Sequence, residues 1–168
     1  MAERSVVITK HDINVTLLAL AGLPSYDLEI VPGDFSYTAP GWSRVQIYDN
    51  GTPVQARKGQ AEPASIALTA HLRDVGGDAD AYTLLDILHW DDRAGTAWDN
   101  AATSTADGES DLKTVDVAVT VDGAKFGLAD KTLLFEKVTL RPGQVAFGDA
   151  GTVPITGQCI SAIVPTVA

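Results

Sequence analysis

The residues of this chain that could bind a metal are its histidines and the carboxylates near them. His89 is followed by Asp91 and Asp92, and His71 comes earlier, so these four side chains are the best candidate ligands. A zinc site needs three or four convergent ligands, and the sequence has no His-x-x-x-His pair and no second cysteine. A histidine near the end of a helix is also favoured by the helix dipole. We therefore expect neither a metal nor a cofactor.

Catalytic patterns are equally hard to find. The single cysteine lies in Gln158-Cys159-Ile160, which lacks the histidine or cation that activates a thiol, so we expect Cys159 to be buried and inert. The aspartates of segment 74–80 lack the spacing of a calcium loop and fit a turn with a helix cap. No nucleophile elbow, Walker motif or dinucleotide glycine pattern is present. We expect no catalytic residue and no enzyme activity.

Charge excludes further classes of function. The net charge of −10 argues against general nucleic-acid binding and against adhesion to an anionic membrane, because both need Lys and Arg. The start, Met1–Lys10, lacks a basic region followed by an apolar core, and the longest apolar run, Leu17–Leu23, is too short to cross a bilayer. We expect a protein made and kept in a reducing cytoplasm.

Aromatic side chains are the remaining residues that could act on a partner. Trp90 is expected to pack on a sheet from the end of a helix, whereas Trp42 and Trp98 are expected on loops. Trp42, Tyr48, Trp90 and Trp98 could form a sugar-binding platform. Exposed aromatic residues on loops more often mark contacts with a protein partner.

A polar β-hairpin over residues 42–60 is the element that would present Trp42 and Tyr48. Asn50-Gly51 is a strong hairpin signal because both residues tolerate positive φ. The residues around the turn are mostly polar, so we expect the hairpin to project from the body. Gly59–Pro63 is predicted to be a flexible return.

The rest of the chain is predicted to be mainly strands, with one helix over residues 79–90. Ala81, Leu84, Leu85 and Leu88 give that helix an apolar stripe, and Asp78 or Asp80 would cap it. A flexible, exposed polar loop, partly disordered until a partner orders it, is expected over residues 91–112. The predicted strands lie within Ser5–Leu20 and over Asp27–Val31, Ala64–Arg73, Lys113–Asp122, Leu133–Leu140, Gln144–Phe147 and Thr152–Val164.

These elements predict one mainly β domain covering residues 1–168. The expected architecture is a β-sandwich or a closed β-barrel with one α-helix packed against it, a projecting hairpin and a long polar loop.

This order of elements resembles the tail tube proteins, the major tail proteins of tailed bacteriophages and related contractile systems, including type VI secretion tubes. The features that carry the resemblance are the N-terminal strand segment, the polar hairpin at Trp42–Lys58, the strand Ala64–Arg73 leading directly into the helix Asp80–Trp90, a polar loop, and the closing strands, the last entered through Gly148-Asp149-Ala150-Gly151. The resemblance covers most of the chain and concerns topology, since no short motif is diagnostic.

The resemblance implies a virion structural protein that closes into hexameric rings, which stack into a tail tube through which DNA passes without specific binding. Assembly in the host cytoplasm is implied, as are contacts with tape measure, sheath or tail terminator proteins and an acidic lumen. The hairpin and the loop would contact neighbouring subunits. The candidate contact residues are Trp42, Arg44, Tyr48, Asn50, Gly51, Arg57, Lys58 and Trp98.

Two other readings stay open from the sequence. One is a non-catalytic β-sandwich module that binds carbohydrate or protein in a virion or cell-surface assembly, with Trp42 or Trp98 at its centre. The other is a small β-barrel hydrolase or isomerase, in which His11, His71 or His89 would have to converge with carboxylates.

Overall fold

The computed structural model describes residues 13–19, 25–72, 83–89, 114–124, 127–147, 151–160 and 163–167. Within them the chain is mainly β, as predicted, and every strand pairing is antiparallel. The elements are β1 (Ile13–Leu18), β2 (Ser25–Leu28), β3 (Ser36–Thr38), β4 (Gly41–Asp49), β5 (Thr52–Glu62), β6 (Ala64–His71), α1 (Leu84–His89), β7 (Val115–Val121), β8 (Lys131–Pro142), β9 (Thr152–Cys159) and β10 (Ile163–Val167).

Eight strands form one sheet, and β4 and β5 form a second sheet by themselves. The order of the large sheet is β2-β1-β7-β8-β9-β6-β3, with β10 paired to β8. Its two edge strands, β2 and β3, follow one another in the chain. Leu28 of β2 pairs with Val15 of β1, and two residues later Ile30 bridges to Ala70 of β6. The sheet therefore curls back on itself, but the described strands do not form a closed barrel.

The core lies on the concave face of this sheet and follows the alternation of the strands. In β7, Val115, Val117 and Val119 are buried while the residues between them are not. In β6, the buried side chains are the alternate ones beginning at Ala64. Period-2 alternation sends one set of side chains inward. Among the described residues, the largest fully buried side chain is Phe135 of β8, which belongs to the same apolar cluster as residues of β1, β6, β7, β9 and α1.

The helix differs from its prediction at its start and its buried face. It begins at Leu84 and is capped by Thr83, whereas the predicted caps Asp78 and Asp80 lie outside the described residues. The Thr83 hydroxyl accepts a hydrogen bond from the Asp86 N–H (3.2 Å), and the Asp86 carboxylate accepts one from the Thr83 N–H (3.0 Å). This reciprocal pair is a capping box. The capped helix buries Leu84, Ile87 and Leu88, so Ile87 takes the place predicted for the half-buried Leu85.

A β-bulge interrupts β8. Val115 pairs with Val138 but Val117 pairs with Phe135, so β8 has one residue more than β7 here. Lys137 occupies the bulge at φ 52°, and its N–H donates to the Asp116 carboxylate (2.9 Å). The extra residue resets the alternation, and both Phe135 and Val138 therefore point into the core.

Three strand predictions are corrected by the structure. Gly59–Pro63 is not a return loop, because β5 continues to Glu62. The predicted final strand, Thr152–Val164, is two strands that pair with different halves of β8. Gln144–Phe147 contains only a single bridge, from Ala146 to Thr152. The short edge strand β3 had no signal in the sequence analysis. No helix in the described ranges is both long and apolar enough to span a bilayer.

Candidate interaction surface

The hairpin of β4 and β5 has the two-residue turn that its sequence predicts. Asn50 and Gly51 lie at φ 47° and φ 80°. Positive φ at both central residues defines a type I′ turn, whose twist matches that of the flanking strands. At ~3.4 Å per residue, the nine residues of β4 make a strand about 30 Å long.

Nothing among the described residues covers this hairpin. None of its strand residues is buried, and it forms a two-stranded sheet of its own. A two-stranded sheet is marginally stable in water, and clustered exposed apolar side chains mark interaction surfaces. The large apolar side chains that the hairpin exposes are Trp42 (57%), Val45 (50%), Tyr48 (58%) and Val54 (60%).

One face of the hairpin combines aromatic and cationic groups. By strand alternation Trp42, Arg44, Gln46 and Tyr48 share this face, and the Tyr48 hydroxyl donates to the Gln46 side-chain oxygen. Lys58 lies opposite Arg44, and its Nζ is 5.2 Å from the centre of the Trp42 ring. That distance is within the range of a cation–π interaction. We name Trp42, Arg44, Tyr48 and Lys58 the aromatic–cationic face.

The opposite face carries Val45, Ile47 and Arg57. Here the two strands approach closely at Gly59, where a Cβ would lie 3.1 Å from the Ser43 carbonyl oxygen and 3.0 Å from a Val45 methyl group. The pairing shifts register on either side of this contact, between Trp42 and Arg44. A glycine at this point allows the extra residue in β5 without displacing β4.

Seven of the eight candidate contact residues lie in the hairpin and are exposed: Trp42, Arg44, Tyr48, Asn50, Gly51, Arg57 and Lys58. The prediction that Trp42 is on a loop is wrong, because it is the second residue of β4. Trp98, the eighth candidate, and the predicted loop 91–112 lie outside the described residues.

The side chains considered for chemistry do not assemble into a site within the described ranges. His71 is half-buried at the end of β6, and His89 is the last residue of α1. His11, Asp91, Asp92 and the aspartates of segment 74–80 fall outside those ranges. The part of the chain that the structure describes contains no group of three His, Cys, Asp or Glu side chains that could hold a metal.

Cys159 is buried, as predicted. Its Sγ donates to the Glu136 carbonyl oxygen (3.0 Å), next to the bulge in β8. It lies in the strand that packs between β8 and β6.

No family model and no curated protein matches this chain. Solved structures do match. A chain in the cryo-EM structure of the PVC sheath/tube terminator of an extracellular contractile injection system, in the extended state, has a TM-score of 0.60 at 11% identity over 97% of this chain and 99% of that one.

Two further structures match over nearly the whole chain. One is the anti-feeding prophage cap, described as a tube terminating cap (TM-score 0.57, 12% identity, 100% of this chain and 96% of that one). The other is the PVC sheath-tube complex in the extended state (TM-score 0.56, 10% identity, 98% and 95%). At these identities the comparisons establish a shared fold: the chain has the fold of chains found in a sheath/tube terminator, a sheath-tube complex and a tube terminating cap.

Proposed function

We propose that this protein is a virion structural protein, the subunit of a phage tail tube or of a related injection tube. In this proposal the chains close into hexameric rings, and the rings stack into a channel through which DNA passes. The observation that carries the proposal is the hairpin, which exposes Trp42, Tyr48 and Val54 and makes no sheet with the body.

The energetics of the hairpin favour a partner that is always present. Burial of apolar surface stabilises by about 25 cal/mol per Å², so covering two aromatic and two aliphatic side chains would contribute several kcal/mol. A free monomer forgoes that stabilisation, whereas a ring of identical subunits supplies it at every position. The fold shared with tube and tube-end proteins supports the same partner.

Open strand edges give the subunits a second means of contact. Among the described residues, β3 pairs only with β6, and β10 pairs only with β8. Unpaired edges are templates for further strands. In the proposed ring these edges pair between subunits, which satisfies their backbone groups and limits open-ended aggregation.

The charge of the chain fits a conduit for DNA. At a net charge of −10, a channel lined by this protein would repel phosphates and let DNA slide without binding. Tape measure, sheath and terminator proteins are the partners proposed for the finished tail.

A non-catalytic binding module, for carbohydrate or protein, is the second candidate. The exposure of Trp42 and Tyr48 on one face favours it. Lys58 lies over the Trp42 ring, however, so that this ring offers a sugar only its other face. The tube subunit accounts for the hairpin and for the open strand edges together.

Negative-stain electron microscopy across a concentration series tests the proposal. The wild type is expected to form rings or hollow tubes with six-fold end views. The double variant Trp42→Ala, Tyr48→Ala is expected to remain folded and to lose them. Monomers of uniform size at every concentration, or assembly that is the same in the variant, would contradict the proposal.

A further inference from the structure

We propose that the aromatic–cationic face of the hairpin docks on an acidic outer face of the large sheet in a second copy of this chain. The inference rests on the proposed function, because the second copy is the neighbouring subunit. The new part is the identity of the surface that receives the hairpin and of the groups that bind it.

The distribution of charge is the first observation. The hairpin, residues 41–62, carries Arg44, Arg57 and Lys58 against Asp49 and Glu62, so it is net positive. Outside the hairpin, the described residues carry three basic side chains against eight acidic ones. The hairpin is thus a cationic arm on an acidic body. The acidic residues of the described body are Asp27, Glu29, Asp34, Asp86, Asp116, Asp122, Asp130 and Glu136.

One half of the outer sheet surface concentrates carboxylates beside aliphatic side chains. Strand β1 lies between β2 and β7. Its Thr16 pairs with Asp27 of β2 and with Ala118 of β7. The next outward residue of β1, Leu18, pairs with Asp116 of β7. Directly paired residues point to the same side of a sheet, and the intervening residues Val15 and Leu17 point into the core. We name this surface the acidic face; its carboxylates are Asp27 and Asp116.

The other half of the outer surface lacks this charge. A shallow depression of about 280 Å³ lies there on β6, β9 and β8, lined by small or neutral side chains and one cation, Arg141. Arg141 would repel Arg44 and Lys58. A depression of about 380 Å³ on the acidic face is lined instead by Asn14, Thr16, Asp27 and Thr120 among others. Lys137 lies beside Asp116, but the acidic face also carries carboxylates, whereas the lining of the neutral half carries none. Of the two halves, the acidic face is therefore the more complementary to the hairpin. The outward side chains of the neutral half are Ser65, Ala67, Thr139, Arg141, Thr156 and Gln158.

The two surfaces also match in apolar character. Trp42 and Tyr48 of the hairpin would cover Leu18 and Ala118, while Arg44 and Lys58 would reach the carboxylates of the acidic face. Such an arrangement gives both area burial and charge pairing at the contact.

Geometry makes the contact heterologous. The hairpin and the acidic face are different surfaces of the same molecule, so each copy offers one donor and one acceptor. A contact of this kind repeats from copy to copy and closes into a ring or extends as a filament. An assembly of many subunits therefore follows from a single type of contact.

Cysteine crosslinking between full-length chains tests the docking directly. Cys159 is the chain's only cysteine and is buried, so introduced cysteines are the accessible ones. A Gln46→Cys chain is mixed with an Asn14→Cys chain that carries a longer tag, and a short bismaleimide crosslinker is added. Both residues are exposed and lie on the two docking faces, and neither is one of the charged groups proposed to pair. The heterodimer then has its own electrophoretic mobility.

Two matched controls locate the contact. Thr156→Cys replaces Asn14→Cys and puts the acceptor cysteine on the neutral half, where Thr156 is exposed. Gln55→Cys replaces Gln46→Cys and puts the donor cysteine on the opposite hairpin face, because Gln55 pairs with Ile47. Each mixture is also examined by electron microscopy before crosslinking.

We expect the Gln46→Cys and Asn14→Cys pair to give a heterodimer yield several-fold above both control pairs. The yield should fall when salt rises from about 0.1 M to about 1 M, because the Debye length shrinks from ~10 Å to ~3 Å. Tubes without this preferred crosslink would overturn the docking and leave the proposed function intact. The crosslink without tubes would support the docking and contradict the tube. Absence of both would overturn both.

Discussion

The large sheet and the hairpin have the same antiparallel pairing, but only the sheet buries one of its faces. The sheet sends alternate side chains into one apolar cluster, in which Phe135, Val115 and Val138 are fully buried. The hairpin also alternates, yet all its strand residues remain accessible and Trp42 is 57% exposed. A two-stranded sheet without a covered face is only marginally stable in water. The body contains its covering face, and in the proposed tube a neighbouring subunit would supply one to the hairpin.

The largest difference between the regions is expected from truncating an aromatic side chain in each. Phe135→Ala should lower the free energy of unfolding by about 3–5 kcal/mol, because it empties a site with no exposed surface. Trp42→Ala should change it by less than ~0.5 kcal/mol in the monomer, because the ring is exposed. Urea titration of dilute protein measures both. Equal losses would end the distinction between body and hairpin.

A methyl group added to a glycine gives the next largest contrast. At Gly157 a Cβ would lie 2.7 Å from Val138 Cγ1 and 2.9 Å from Ile66 Cγ1, so Gly157→Ala should cost about 1–3 kcal/mol. Gly41, at the root of the hairpin, is the matched control, since its nearest neighbour is a Glu62 carboxylate oxygen at 3.4 Å. Gly41→Ala should be nearly neutral in the same denaturation assay. Tolerance of alanine at Gly157 would show that the packing around it yields readily.

Removal of a threonine hydroxyl should have an effect of about 1 kcal/mol in the body. Thr83→Ala deletes the cap of α1 and its hydrogen bonds with Asp86. Thr52→Ala, beside the hairpin turn, removes a hydroxyl from an exposed residue and should stay within ~0.5 kcal/mol. Thermal melts followed by circular dichroism compare the two, and a neutral Thr83→Ala would mean that α1 needs no cap.

The smallest contrast concerns positive φ. Lys137 in the body and Asn50 in the hairpin are the described non-glycine residues with positive φ. Lys137→Gly should stabilise by up to ~1 kcal/mol, because a side chain is disfavoured there. Asn50→Gly should change stability by only a few tenths of a kcal/mol, because asparagine tolerates this conformation. A destabilised Lys137→Gly protein would show that packing of the lysine outweighs its backbone strain.

Local pattern was enough to predict the regular parts of the fold. The alternation in Ala64–Arg73 and Lys113–Asp122 gave two core strands and their buried faces, and Asn50-Gly51 placed the hairpin turn. Elements that depend on distant partners were missed. The edge strand β3 pairs with β6 and places the Tyr37 ring edge-on to Phe135 of β8, 5.6 Å between ring centroids. The Lys137 N–H at the bulge donates to Asp116.

The candidate surface was predicted in its residues but not in its organisation. Composition pointed to Trp42, Tyr48 and the neighbouring cations as contact residues. Their division between two faces depends on the strand register and on the shifts near Gly59, which no local signal marks. The acidic face could not be predicted for the same reason. Asp27 and Asp116 lie far apart in sequence, and the fold places them on the two strands that flank β1.

Hydrogen exchange followed by mass spectrometry, at low and at high protein concentration, tests the central claim most directly. We expect the amides of β4 and β5 to exchange rapidly in dilute protein and to become protected as copies associate. The amides of β6 and β9 should be protected at both concentrations. Equal protection of the hairpin at both concentrations would contradict the claim, because the hairpin would then be stable without a partner.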